Sequence, residues 1–438
     1  MGGPMVLTPP GGWARTFSSL RLRDFRIYWI GMLFSFVGMQ MGMLARQWLV
    51  YDLTGSTTAL GIVGAVSGIP MLLLAIPGGV IADRVSKRNV LILVQSLTGI
   101  LAFTVGFLIV TGLIQVWHVI AVALIAGATM TFNMPARQAL VAELVGTDNL
   151  MNAIALNSAG MNFTRIIAPT VAGILVAAIG LAGTYFVYSG SYVFVVLFLI
   201  MLPAVNAGFE SWRRERGSMW GDGLEGLRYL RSNRLVMSLM ILATVPAIFA
   251  MPYMMLLPVY AKDILHVGPQ GLGIMMSASG VGALLGALVV ASMGDIQAKG
   301  KIMIVAALGF GTMITLFALA PYLSTWVGKG EVTQGLGLVP MSFVFLVSLG
   351  FLALLGIASN AYMAMNNTVV MMSIPDELRG RVMGVYMMTW GFMPLGVLPI
   401  GILGDIVGVP IVLATGGAIM AIVSLVIWLA VPELRRLK

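Results

Sequence analysis

The chain has 438 residues, 59% of them hydrophobic and 9% charged, with a mean hydropathy of +0.99. That composition lies outside the range of water-soluble globular proteins, and the absence of cysteine excludes disulfides, thiolate nucleophiles and cysteine-ligated metal. The net charge of +9 invites a nucleic-acid partner, but the basic residues flank apolar stretches, where membrane topology and anionic headgroups account for them.

Crossing a bilayer core as a helix takes about 20 apolar residues. In lipid such spans are helices, because every backbone polar group needs an internal partner. Twelve stretches of that kind are present, so the expected fold is all-α and polytopic. An amino-terminal segment, 1–25, precedes the first stretch, 26–52, which carries Gln40, Arg46 and Gln47. The second, 57–82, leads through the basic turn Gly78-Gly-Val-Ile-Ala-Asp-Arg-Val-Ser-Lys-Arg88 into the third, 89–111. The fourth, 117–137, holds Thr129 and Asn133. The fifth, 149–179, holds Asn157, Asn162 and Arg165, then Pro169 and Gly173. After the sixth, 182–203, comes the longest polar interval, 204–233, where Leu224 to Arg231 suits a short interfacial helix. The seventh, 234–261, contains Pro246, Pro252 and Pro258 and is expected to bend or break. Tyr253 lies there in a Met-rich cluster. The eighth, ninth and tenth cover 270–294, 301–322 and 340–367, with Asn366 and Asn367 closing the tenth. The polar run Asp376 to Arg381 opens the eleventh, 378–408, which carries Trp390 beside further Met residues. The twelfth, 410–432, ends in a tail, 433–438.

Twenty-one of the 25 Lys and Arg fall in the amino-terminal segment, in alternate connections or in the tail; Arg137 is counted in one such connection. Positive charge is retained on the cytoplasmic side, so both termini and the 204–233 linker are expected there. The stretches also repeat. Gly173–Gly180 matches Gly401–Gly408, and Asp148 matches Asp376, at one offset of 228. Leu60 and Asp83 match Leu272 and Asp295 at another, of 212. Two six-span bundles, 26–203 and 234–432, form a transporter plan with the substrate held between them near the midplane.

The 78–88 turn resembles the Gly-x3-Asp-Arg-x-Gly-Arg-Lys loop of the major facilitator superfamily. Gly79, Asp83, Arg84, Lys87 and Arg88 are in register, and Ser86 stands where the family has Gly. Trp48–Ser56, Pro135–Leu140 and Glu225–Leu230 extend the resemblance along almost the whole chain, to the bacterial group that holds the enterobactin exporter and macrolide efflux pumps. The resemblance implies a major facilitator fold, a bacterial inner-membrane location and a gating role for those five loop residues. Asp83 would act there against the start of the eleventh span, at Asp376, Arg379 and Arg381. Thr164–Gly173 is similar to the superfamily's antiporter element, with Pro169 and Gly173 kept. Both join the gating set, with ordinary close packing as the competing account. Where the family's fourth span has Arg-x2-Gln-Gly, this chain has Ala123, Ala126 and Gly127.

No acidic residue lies deep in a span, so Arg165 has no evident counter-charge. A substrate carboxylate, catecholate or phosphate would supply one; backbone carbonyls near Pro169, or Asn162, are the alternative. Arg165, Asn162, Asn157, Gln40, Gln47, Asn133, Thr129, Tyr253 and Trp390 form the candidate substrate-contacting set. Hydrogen bonding between helices is the other role open to the uncharged ones. His118 and His266 are the only histidines, and neither sits in a metal-ligand spacing. No Walker A sequence occurs, and the Gly-x-Gly-x2-Gly at 221–226 follows no strand. An enzyme, a metal site and a cofactor are therefore not expected. The sequence reads as a monomeric secondary active transporter in contact with lipid. It would work by alternating access and export an amphipathic small molecule such as a siderophore, macrolide or other lipophilic compound. An importer of an anionic metabolite and a non-transporting receptor or assembly subunit stay open as alternatives.

Overall fold

The computed structural model describes residues 17–203, 228–293, 298–323 and 342–436, and for 71–72, 75–84, 323, 376–377, 387, 390 and 436 it gives the backbone alone. Among the described residues the fold is helical and has no strand. The helices before and after the 204–227 interval are here the first and second sets. In the first set, α1 (Arg23–Thr54), α2 (Thr57–Arg84) and α3 (Lys87–Val110) are followed by α4, an 85-residue run from Val116 to Ile200. A straight helix of that length would be several times the roughly 30 Å of a bilayer core. Gly146 and Gly180 divide it, with φ of 65° and 73°, in the left-handed region that glycine enters without a Cβ penalty. The segments 116–145, 147–179 and 181–200 are the result.

The second set opens on an interrupted span. α5 (Arg234–Val245), a π turn (Pro246–Ala250), α6 (Tyr253–Val259) and a second π turn (Tyr260–Ile264) succeed one another. The expected break is thus present, and its cause is local. Pro246 has no N–H to return to the Leu242 carbonyl, and the Tyr362 hydroxyl donates to that carbonyl instead. There follow α7 (Gly268–Ser292), α8 (Lys299–Leu319), α9 (Phe343–Met372), α10 (Asp376–Met388), α11 (Met393–Val407), α12 (Val409–Ala430) and the short α13 (Pro432–Arg436). Of the central interval's expected interfacial helix, residues 228–232 are helical and the rest lies outside the described residues.

Eight of the described helical stretches are long and apolar enough to cross a membrane, with α4 counted as one. Large apolar side chains such as Leu73, Leu93, Val305 and Ile406 point outward and are mostly exposed. A surface of that kind belongs in lipid. The protein is a multi-pass membrane protein.

The apolar interior falls into two bodies. The larger runs through the second set and takes in Met41 to Val63, Ala102 to Ala123 and Ala172 to Tyr185 of the first. The smaller, around Phe25, Met32, Leu91, Leu140 and Val195, belongs to the first set alone. The two sets therefore share a core at one end of the molecule, the end carrying the turns after Thr54 and Val407.

Candidate functional site

Two helix crossings join the sets. In one, the 147–179 segment of α4 packs on α7, each supplying glycines to the other's backbone. Gly173 lies against the Pro269 carbonyl and Gly273 against the Pro169 carbonyl, so a side chain at either would collide with main chain. Pro169 and Gly173, expected in gating, are thus the first-set half of an inter-set seam. The Thr170 hydroxyl donates to Ser277 Oγ across it, at 2.8 Å.

Arg165 lies just before this seam, and its own carbonyl would stand 2.9 Å from a Cβ at Gly280. Its part-buried guanidinium is within electrostatic reach of Tyr253 in the second set. Tyr253 is buried and shares a 2.8 Å hydrogen bond with Ser279. Two of the expected contact residues, one from each set, are thus near enough to interact electrostatically. Among the described residues the Arg165 guanidinium makes no hydrogen bond and no ion pair. The Asn162 amide is spent on the Ser158 carbonyl of its own helix, at 2.9 Å.

The other expected contact residues divide. Thr129 donates to the Ala126 carbonyl of its own helix at 2.7 Å, and Gln40 is buried on α1. Gln47, Asn133 and Asn157 each bury a side-chain oxygen that has no hydrogen-bond partner. Buried acceptors without partners are rare, because each forfeits its hydration. The Trp390 side chain lies outside the described residues, as do those of Asp83, Arg84 and Asp376. Gly79 is within α2, and Arg379 and Arg381 open α10.

Lys87 and Arg88 take a task that sequence did not assign them. Lys87 Nζ is 3.9 Å from Glu143 Oε1. Arg88 Nε and Nη2 donate to the Leu199 and Ile200 carbonyls at 2.8 and 2.7 Å. Free carbonyls at a helix end attract cations, so Arg88 caps α4 within its own set.

The second crossing, α2 on α11, ends in a latch made of residues that sequence reading left without a role. Asp405 Oδ1 accepts from Thr57 N at 2.7 Å and Thr57 Oγ1 at 2.8 Å. Its Oδ2 accepts from Ser56 Oγ at 2.6 Å and Thr58 N at 2.9 Å. A carboxylate from α11 thereby caps the amino terminus of α2, where unpaired N–H groups and the helix dipole favour negative charge. Nearby, Lys262 Nζ meets Asp52 Oδ1 at 2.5 Å, and the Tyr51 hydroxyl donates to Asp263. The visible signal was the Ser56-Thr57-Thr58 start of a span; the distant acid that completes it has no local signature.

Arg137 is a correction. The first segment of α4 continues to residue 145, so Arg137 lies inside a helix and not in a polar connection. Its guanidinium sits 4.9 Å from the Phe36 ring centroid and donates to Ser35 Oγ at 3.1 Å, while Gln95 donates to the same oxygen at 2.9 Å. The charge pattern hid it, because an Arg shortly before the Gly146 turn reads like a flanking residue.

Comparisons along most of the chain agree with the fold. Residues 14–437 match the family described as transmembrane secretion effector. The multidrug efflux pump Tap of Mycolicibacterium fortuitum is 26% identical over 83% of this chain and 85% of its own. The enterobactin exporter EntS of Citrobacter koseri is 24% identical over 97% and 96%. Among solved structures, the nucleoside transporter NupG aligns with a TM-score of 0.73 at 15% identity, over 93% of this chain and 98% of that one. A bacterial homologue of the iron transporter ferroportin, in its inward-facing state, aligns with a TM-score of 0.66 at 16% identity, over 92% and 98%. With a full-length family match, exporter relatives and a shared transporter fold, this chain belongs to the transmembrane secretion effector family of major facilitator transporters.

Proposed function

We propose that the protein is a secondary active exporter of an amphipathic, negatively charged small molecule, working by alternating access. On this reading α4 supplies three of twelve membrane crossings, and residues 26–203 rock against 234–432. Residues 1–25, 204–233 and 433–438 face the cytoplasm of a bacterial inner membrane, and the protein acts as a monomer. The Asp405 latch then closes the outer face, and Asp83, by its family resemblance, is the counterpart that closes the inner one.

The observation that carries the reading is Arg165. An Arg midway along a span costs about 2.5–3.5 kcal/mol on translocon scales. This one lies beside the seam of the two sets, within electrostatic reach of Tyr253, and among the described residues makes no hydrogen bond and no ion pair. An anionic group on the cargo satisfies it, through the planar fork of guanidinium donors. The exporter direction rests on the relatives, Tap and EntS.

The test uses purified protein and a panel of anionic amphipaths read by thermal shift, since a ligand bound only by the native state raises its melting temperature. Arg165→Gln is expected to abolish the shift given by the best anion, and Arg165→Lys to weaken it, with both variants melting cooperatively. Normal binding by folded Arg165→Gln would remove the charge-recognition role. Counterflow in proteoliposomes then reads transport itself.

A further inference from the structure

Between them, α11 and α12 leave a groove of about 320 Å³ that reaches down to Ile248 and Phe249 in the π turn Pro246–Ala250. Two glycines seat the helices directly on that turn. Gly396 lies on the Ile248 carbonyl and Gly416 on the Phe249 carbonyl, so a side chain at either would collide with main chain. The rims are apolar and exposed, Leu395 and Leu403 on α11 and Ile419 on α12, and belong to the surface that the bilayer covers. From Leu395 to Leu403 the helix rises about 12 Å, close to the roughly 15 Å of hydrocarbon in one leaflet. Leu403 lies near the Val407 end of α11, so the groove runs inward from the end that carries the Asp405 latch. Thr415 brings the one side-chain hydroxyl among the described lining residues, and it donates to the Ile411 and Val412 carbonyls of its own helix, both at 2.9 Å. No charged side chain is among them.

We infer that this groove is a binding site for one hydrocarbon chain of a bilayer phospholipid, in the leaflet at the latch end. A slot that is long, apolar and open along its side to lipid matches a straight chain. Lipid tails are as apolar as the helices, so no hydrophobic force drives a chain inward, and what holds it is contact. A chain lying in a groove meets lining atoms around much of its girth, whereas one against an exposed helix face meets them on one side. Left empty, the groove would deprive its own lining of those contacts. The anionic cargo proposed above finds no cation here, while phospholipid chains surround the rim. The bound chain rests on the turn that interrupts the first span of the second set. The inference stands on the membrane assignment and goes beyond the transport reading, since it depends on neither cargo nor direction.

Photolabelling tests the assignment. Purified full-length protein in dodecylmaltoside micelles is titrated with a phosphatidylcholine that carries a diazirine midway along one chain, irradiated, and mapped by mass spectrometry. Leu93 and Val305, exposed on the lipid-facing surface elsewhere, are the references, and their labelling is expected to rise in proportion to the probe. Labelling of Ile248 and Phe249 is expected to saturate, because a site fills as its ligand displaces detergent. Thr415→Trp and Ile419→Trp put a bulky ring into the groove from exposed lining positions. Each should lower labelling of Ile248 and Phe249 several-fold, leave the references unchanged and melt cooperatively. Proportional labelling at Ile248 and Phe249, or labelling untouched in both folded variants, would show that chains only pass over the groove. Displacement of the label by the anion giving the largest thermal shift would assign the groove to cargo and overturn the lipid chain equally. If one Trp variant fails to fold, the other decides, and if both fail, the wild-type titration decides alone.

Discussion

The two crossings that join the sets are built from the same backbone device and finish differently. On α4 and α7, glycines press on carbonyls along the seam, and among the described residues one neutral side-chain hydrogen bond, Thr170 to Ser277, spans it. On α2 and α11, glycines again meet backbone, a Cβ at Gly401 coming within 2.6 Å of the Thr57 carbonyl. That seam, however, ends in the Asp405 carboxylate set on a helix amino terminus. Close glycine packing is dispersive and short-ranged, and it tolerates small pivoting but no added volume. A capped helix end is a discrete bond, either made or broken. On the proposed alternating-access reading, one crossing serves as a bearing and the other as a catch.

The bearing should be the less forgiving. Gly273→Val places branched carbon against the Pro169 carbonyl, and backbone cannot move aside as a flexible side chain does. Forcing extra volume into a packed seam costs about 1–3 kcal/mol and at times more, and the upper end is expected here. The measurement is the melting temperature and yield in detergent. A variant that melts like wild type would show that α4 and α7 do not meet at these glycines.

The catch should break without loss of the fold. Removing a carboxylate cap from a helix end costs about 0.5–2 kcal/mol, and Asp405 is an exposed residue, so solvent screens part of it. In a two-state equilibrium that corresponds to roughly a 2- to 30-fold rise in the open population. Because the chain has no cysteine, Val397→Cys, buried against Gly64 in the same seam, gives a clean reporter. Asp405→Ala should speed its labelling by an impermeant maleimide within that range and leave the melting transition cooperative. Unchanged labelling would demote the latch to a simple cap.

The sequence carried the membrane class and the Pro246 break, because each follows from composition or from a local backbone rule. Arg165 was conspicuous too, since an isolated charge in an apolar run is visible without neighbours. The sequence did not carry Asp405, whose partners are some 350 residues away; the acid reads alone as a residue near a span end. Arg137 was misread for a related reason. Only the continuation of α4 to residue 145 separates a flanking cation from one laid over Phe36.

The smallest expected effect separates the catch from its neighbours. Lys262 and Asp52 form an ion pair at the same end, with side chains 36% and 46% exposed. Pairs so accessible contribute about 0.2–1 kcal/mol, and salt screens them further. Lys262→Met should therefore raise labelling of the Val397→Cys reporter less than about fivefold, and the difference should shrink in molar salt. Tyr51→Phe is the yardstick, because its part-buried hydroxyl donates to the Asp263 carboxylate. A hydrogen bond to a charged group contributes about 1.5–3 kcal/mol, with the lower end expected because Asp263 is exposed, so this variant should still exceed Lys262→Met and depend less on salt. The ordering expected is Asp405→Ala or Tyr51→Phe above Lys262→Met. If Lys262→Met alone opened the seam as far as Asp405→Ala does, the exposed ion pair and not the helix cap would be holding this end closed.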